Sequence, residues 1–132
     1  MIKKINVKTR SRTEFVNITS DVEKIVKESG IKSGICYVYV PHTTAGVTIN
    51  EGADPSVVRD MQVFFNKLVP HSGDYKHMEG NSDAHIKTSL VGPSQVIIID
   101  DGKLVLGTWQ AIFFCEFDGA RNRQVNVKTI SG

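Results

Sequence analysis

Three of the chain's four histidines fall within fifteen residues, in the stretch His71-Ser-Gly-Asp-Tyr-Lys-His77-Met-Glu-Gly-Asn-Ser-Asp-Ala-His85. The fourth opens a second polar block, Pro41-His42-Thr43-Thr44-Ala45-Gly46. Imidazole is the commonest metal ligand and the side chain most readily tuned for proton transfer near neutral pH. Four histidines in 132 residues is an ordinary number, so the surroundings carry the signal. His77 and His85 bracket Glu79, Asn81 and Asp83 in a segment punctuated by Gly73 and Gly80, with little apolar content to bury. That is the composition of a functional loop, and the two polar blocks read as halves of one site.

Other residues join the candidate set on their chemistry. Adjacent hydroxyls at Thr43 and Thr44 can bind phosphate or carboxylate oxygens, or can only close their turn. Glu51 ends the following strand, and a short hairpin would return it beside His42. Asp54 is accounted for as a helix cap. Trp109 at a strand start can pack, or can stack on a flat heterocycle. Glu116 lies on an otherwise apolar strand and needs a partner if it faces inward. Arg121 and Arg123 can grip an anion bidentately or stay solvated. His71 follows a helix end, where the dipole favours a cation, and is assigned a structural role.

The elements that must position these groups are legible from periodicity. Residues 2–9 and 14–18 have strand patterning around a polar turn at 10–13. Ser20-Asp-Val-Glu23 matches a capping box, and Gly30 closes a helix over about 20–29. Residues 35–40 read as a buried strand and 46–51 as an alternating one, with the His42 block connecting them. Asp54-Pro55 starts a second helix, carried by Val57, Val58, Met61, Phe64, Phe65 and Leu68 as far as Pro70. Ser82 caps a short helix over 82–91, which puts His85 in its first turn. There the dipole attracts an anion and disfavours a protonated imidazole. Beyond Pro93 the pattern is all β: 95–99, the hairpin dipeptide Asp101-Gly102, 103–106, 110–117, the turn Asp118-Gly119 and 124–130. Strands at both ends with helices between them predict an α+β domain spanning residues 1–132.

Composition narrows the function classes. The chain is 40% hydrophobic and 23% charged, with a net charge of +2 spread along its length. This argues against nucleic acid as partner and leaves only a local basic patch at Arg121 and Arg123. No apolar run approaches the roughly 20 residues that span a bilayer. The N-terminus lacks a signal-peptide core, so a cytoplasmic location is expected. Cys36 and Cys115 lie in apolar strand-like runs and are expected as buried free thiols.

Several longer motifs carry a resemblance. They are His42-Thr-Thr-Ala, Ile49-Asn-Glu51 with Asp54-Pro55, His77-Met-Glu-Gly-Asn81-Ser-Asp83-Ala-His85-Ile-Lys87, Leu106-Gly-Thr-Trp109-Gln and Cys115-Glu-Phe-Asp-Gly with its trailing arginines. In this order they resemble the YjbQ-like family, often described as secondary thiamine-phosphate synthases. The resemblance implies a two-layer β-sandwich of about seven to nine strands with two or three flanking helices, assembled as a homotrimer. It also implies a metal site at His42, His77 and His85, with Glu51, Asn81 and Asp83 as reactive or supporting groups. The reaction in the family's name joins a pyrimidine pyrophosphate to a thiazole phosphate and releases pyrophosphate. Thr43, Thr44, Lys87, Trp109, Arg121 and Arg123 are then the candidates for holding such a small phosphorylated substrate. A histidine-rich set suits zinc better than magnesium, which prefers oxygen ligands. Two alternatives stand beside this one: a hydrolase in which Glu51 or Asp83 activates metal-bound water, and a non-catalytic metal-binding trimer. Under all three, the loop at 42–44 must meet the segment 77–85.

Overall fold

A computed structural model describes all 132 residues. Eight strands and three helices follow the order β1 (Lys3–Lys8), β2 (Glu14–Asn17), α1 (Thr19–Ser29), β3 (Ser33–Tyr39), β4 (Ala45–Glu51), α2 (Pro55–Leu68), α3 (Ser82–Val91), β5 (Ser94–Asp100), β6 (Lys103–Leu104), β7 (Gln110–Glu116) and β8 (Asn122–Ser131). The strands form an antiparallel five-stranded sheet, β1-β8-β3-β5-β6, and an antiparallel three-stranded sheet, β2-β7-β4. The expected α+β sandwich is the fold observed.

Alternation along the strands fixes the layers. Cys36, Val38, Ile97, Ile99, Val125 and Val127 point from the larger sheet into the main core, where Val47, Ile112 and Phe114 of the smaller sheet and Val22 and Val26 of α1 meet them. The other face of the smaller sheet contributes Ala111, Phe113, Cys115 and Phe117 to a second cluster, covered by Ala84 and Val91 of α3 and Val58 of α2. Both cysteines are free and buried.

Several local signals act as the sequence predicts. Asp54 accepts from the Ser56 backbone N–H at 2.9 Å, with Pro55 in the first turn of α2. Gly30 closes α1 at φ 71°. Asp101 and Gly102 take positive φ, as the tight β5–β6 hairpin requires. Others do not. The capping box at Ser20 is not made; the Asn17 side chain instead accepts from the Thr19 N–H at 3.0 Å, so α1 starts one residue early. Asn81, not Ser82, precedes α3.

The largest difference lies at the His42 block. It does not close a hairpin, because β3 and β4 belong to different sheets. The β1–β2 and β7–β8 connections also cross between sheets, and all three crossings gather at one corner. Thr9 Oγ1 and Arg123 Nε reach the same Glu116 oxygen there, and Arg123 also reaches Thr44.

Candidate functional site

A buried ion pair pins the crossing corner. Glu116 is fully buried and Arg123 is 6% exposed. Arg123 binds the carboxylate through Nε, at 2.8 Å, and through Nη2, which also donates to Thr44 Oγ1 at 2.8 Å. Thr9 Oγ1 and the Asp118 N–H complete the shell at 2.8 and 3.0 Å. Burial pushes the Glu116 carboxyl upward, but these donors and the Arg123 charge outweigh it, so its pKa lies below the usual carboxylate value. The partner that an inward Glu116 demanded is therefore Arg123, seven residues on.

His42 sits at the edge of this corner. Its Nε2 accepts the Gln124 N–H at 3.0 Å, which puts the proton of the neutral ring on Nδ1. Burial and the Arg123 charge lower its pKa and favour that neutral form. Its cleft is lined by Asn6, Lys8, Asn122, Arg123 and Gln124.

A second buried network holds the start of α3. Asp83 is fully enclosed, and Arg12 grips it bidentately at 3.0 Å through each Nη. Lys87 Nζ, one turn along the helix, stands 3.4 Å from Asp83 Oδ2 and donates to Asn66 Oδ1 at 2.8 Å. Burial alone would raise the Asp83 pKa; Arg12, with help from Lys87, brings it below the ordinary range. Burial lowers the Lys87 pKa in turn, against the pull of Asp83. Beside this network Asn81 donates to Asp118 Oδ2 at 2.8 Å, and Arg121 reaches the same oxygen at 3.0 Å. The Asn81 side-chain oxygen is buried without a partner.

These anchors present the histidine loop. Gly80 takes φ 76°, and its carbonyl accepts from His71 Nε2 at 2.8 Å, so His71 ties the loop as its structural assignment implied. His77 and His85 project into a shared cleft of about 460 Å³ with Asp74, Tyr75, Lys76 and Ser82. Their rings stand edge to face with centroids 5.5 Å apart, and His77 Nε2 is 3.9 Å from Glu79 Oε2. Two imidazoles at this spacing offer an ion two nitrogen ligands.

The expected site is thus only partly gathered. His77 and His85 come together, whereas His42 occupies a cleft that shares no lining residue with theirs. No three His, Cys, Asp or Glu side chains of the chain converge as a metal site, so the three-histidine set does not form within one chain. Glu51 is not returned to His42: β4 is extended over seven residues, roughly 20 Å. It accepts instead from the Asp54 N–H at 3.1 Å. Trp109 lies at that same far end, 63% exposed, where its carbonyl accepts from Gly52 at 2.9 Å. Lys87, Arg123 and Thr44 are enclosed in ion pairs and hydrogen bonds, which corrects their reading as substrate contacts; Thr43 and Arg121 remain exposed. Arg12, Thr9, Asn66 and Asp118 were not singled out by sequence. Arg12 gives no local signal, since its partner is 71 residues away.

The model of the UPF0047 protein YjbQ-like family matches residues 3–132. The chain belongs to the YjbQ/UPF0047 family. It is 57% identical to the UPF0047 protein of Methanocaldococcus jannaschii over 130 residues, 98% of this chain and 94% of that one. Bacillus subtilis UPF0047 protein YugU is 52% identical over 97% of this chain and 98% of its own. Among solved structures, a YjbQ/UPF0047 protein of Clostridium acetobutylicum superposes at a TM-score of 0.96 with 57% identity, covering 97% of this chain and 99% of the other. A YjbQ-like protein from Sulfolobus solfataricus also gives a TM-score of 0.96, at 36% identity, covering 100% and 97%. No helix of this YjbQ-like chain is long and apolar enough to cross a membrane.

Proposed function

We propose that this chain is a cytoplasmic, metal-dependent enzyme acting on a small phosphorylated or heterocyclic substrate and working as a homotrimer. Thiamine-phosphate synthase chemistry is the named instance. The observation that carries this reading is the His77–His85 pair, two imidazoles lining one open cleft with ring centroids 5.5 Å apart. A divalent ion held there, zinc by ligand type, would supply Lewis acidity to a phosphate or carbonyl oxygen. Two ligands leave coordination positions for substrate and for a group from outside the chain.

The chain's own residues divide the work. His77 and His85 bind, and the exposed Glu79 carboxylate stands near His77. Asp83 and Asn81 act as positioning residues: Asp83, sealed by Arg12 and Lys87, fixes the first turn of α3 and hence His85. Asp83 is enclosed, and neither it nor Glu51 lines this cleft, which favours the transferase reading over a hydrolase that uses them as bases. Lys76 is the cation lining this cleft, and Arg121 stands exposed outside that lining, held by Asp118.

Zinc titration followed by calorimetry tests the reading. One ion per chain is expected, with binding lost in His77→Ala and His85→Ala and retained in His42→Ala. Wild-type protein that takes up no zinc, manganese or nickel would sink the metal-dependent account.

A further inference from the structure

Two charged clefts lie apart from the histidine pair. One, of about 470 Å³ between α1 and the β5–β6 hairpin, is lined by Lys27, Lys32 and Lys103 but also by Glu23 and Asp101, so both signs of charge meet there. The other, of about 430 Å³ beside His42, is lined by Asn6, Lys8, Asn122, Arg123 and Gln124 and by no carboxylate. A cleft of that volume takes a small organic molecule.

Register builds the wall of the His42 cleft. β1 and β8 pair Asn6 with Gln124 and Lys8 with Asn122, so these four side chains share one face of the sheet, while Val7 and Arg123 turn to the other. Arg123 spends its charge on Glu116. Lys8 joins no ion pair and is therefore the one uncompensated charge of the cleft. The three amide side chains are exposed and without partners in the chain, and each offers a carbonyl acceptor and an NH₂ donor. His42 adds a further donor, because its Nε2 is taken by the Gln124 N–H and the neutral ring keeps its proton on Nδ1. A lysine on the edge strand β1 would by itself only guard that edge. Here it stands among groups of another kind. One positive charge matches a monoanion better than a doubly charged phosphate, and amides that donate and accept together suit hydroxyls, which do the same.

We infer that the His42 cleft binds a small carboxylate bearing hydroxyl groups, with Lys8 and His42 Nδ1–H on the carboxylate and Asn6, Asn122 and Gln124 on the hydroxyls. His42 then works as a hydrogen-bond donor through Nδ1, not as a metal ligand through Nε2. The inference stands on this cleft alone and needs no metal at His77 and His85, whose cleft shares no residue with it.

Titrating gluconate into the nitrogen-15-labelled chain, read from backbone amide shifts, tests this beside three other probes: sorbitol, with hydroxyls and no charge, hexanoate, with charge and no hydroxyls, and inorganic phosphate. Gluconate should shift the amides of Asn6, Lys8, Asn122 and Gln124 saturably and bind more tightly than the other three. Lys8→Gln should weaken it by about tenfold, the loss of one charged hydrogen bond, and Lys103→Gln in the mixed-charge cleft should leave it unchanged. Both lysines are exposed, so neither variant should disturb the fold. The absence of a saturable shift at these amides, or equal weakening by the two variants, would overturn the site. Sorbitol, hexanoate or phosphate binding there as tightly as gluconate would overturn the ligand class.

Discussion

The two histidine corners look alike in sequence and differ in freedom. His42 is half-buried, its Nε2 occupied by a backbone donor and its surroundings cemented by Glu116, Arg123, Thr9 and Thr44. His77 and His85 stand on a loop whose ordering comes from elsewhere, from His71 beneath and Arg12–Asp83 behind, so their rings face open space. The charges that seemed available for substrate are mostly spent inside the protein. A polar block becomes chemically available only when other residues satisfy the burial demands around it.

The sharpest way to break this comparison is to remove an anchor and a free histidine and compare the costs. Glu116→Ala leaves the Arg123 guanidinium buried and unpaired and should cost about 3–5 kcal/mol in urea unfolding. His77→Ala, at an exposed ring, should stay within about 0.5 kcal/mol. Equal costs would erase the distinction.

Acid should act on the anchors next. Asp83, Glu116 and Asp118 have folded pKa values below their unfolded ones, so each binds a proton more weakly when folded. The stability they contribute is complete above the unfolded value of about 4 and is lost as pH falls through the lower folded values. His42, also lowered, follows the same sign from an unfolded value of about 6.5. Urea midpoints measured from pH 7 down to 3 should therefore fall gently at first and steeply below about 4. Glu116→Ala should flatten the steep arm, and His42→Asn the gentle one.

The smallest effect concerns the cysteines. Burial raises the Cys36 thiol to about 11 and Cys115 further still. At pH 8 neither should react with a thiol reagent until urea unfolds the chain. Reaction of either in the native state would mean that its strand opens.

Much of the fold was legible because its signals are local. Asp54-Pro55 announces α2, Asp101-Gly102 the β5–β6 hairpin, and alternating apolar residues the core strands. What was not legible depends on which sheet each strand joins. The segment between β3 and β4 reads equally well as a hairpin or as a crossing between sheets, since its composition is that of a turn either way. The long-range meeting of His42 with His85 fell with that one ambiguity, and so did the return of Glu51. Within the candidate site, the His77–His85 neighbourhood was readable from a loop rich in glycine and acids. The roles of Lys87 and Arg123 were not, because exposure of a basic side chain depends on partners such as Asn66 and Glu116 that no local pattern names. The apolar run at 35–40 read as a buried strand, but the chain covers only one of its faces and leaves Ile35, Tyr37 and Tyr39 exposed.

Nitrogen-15 NMR of the histidine rings during zinc titration would show whether His77 and His85 bind the metal together. The His77 and His85 ring nitrogens should shift together and saturate at one ion per chain, with His42 Nε2 keeping the signature of an acceptor from Gln124. A zinc-induced shift at His42 matching those of the pair, or none at His77 and His85, would contradict the account.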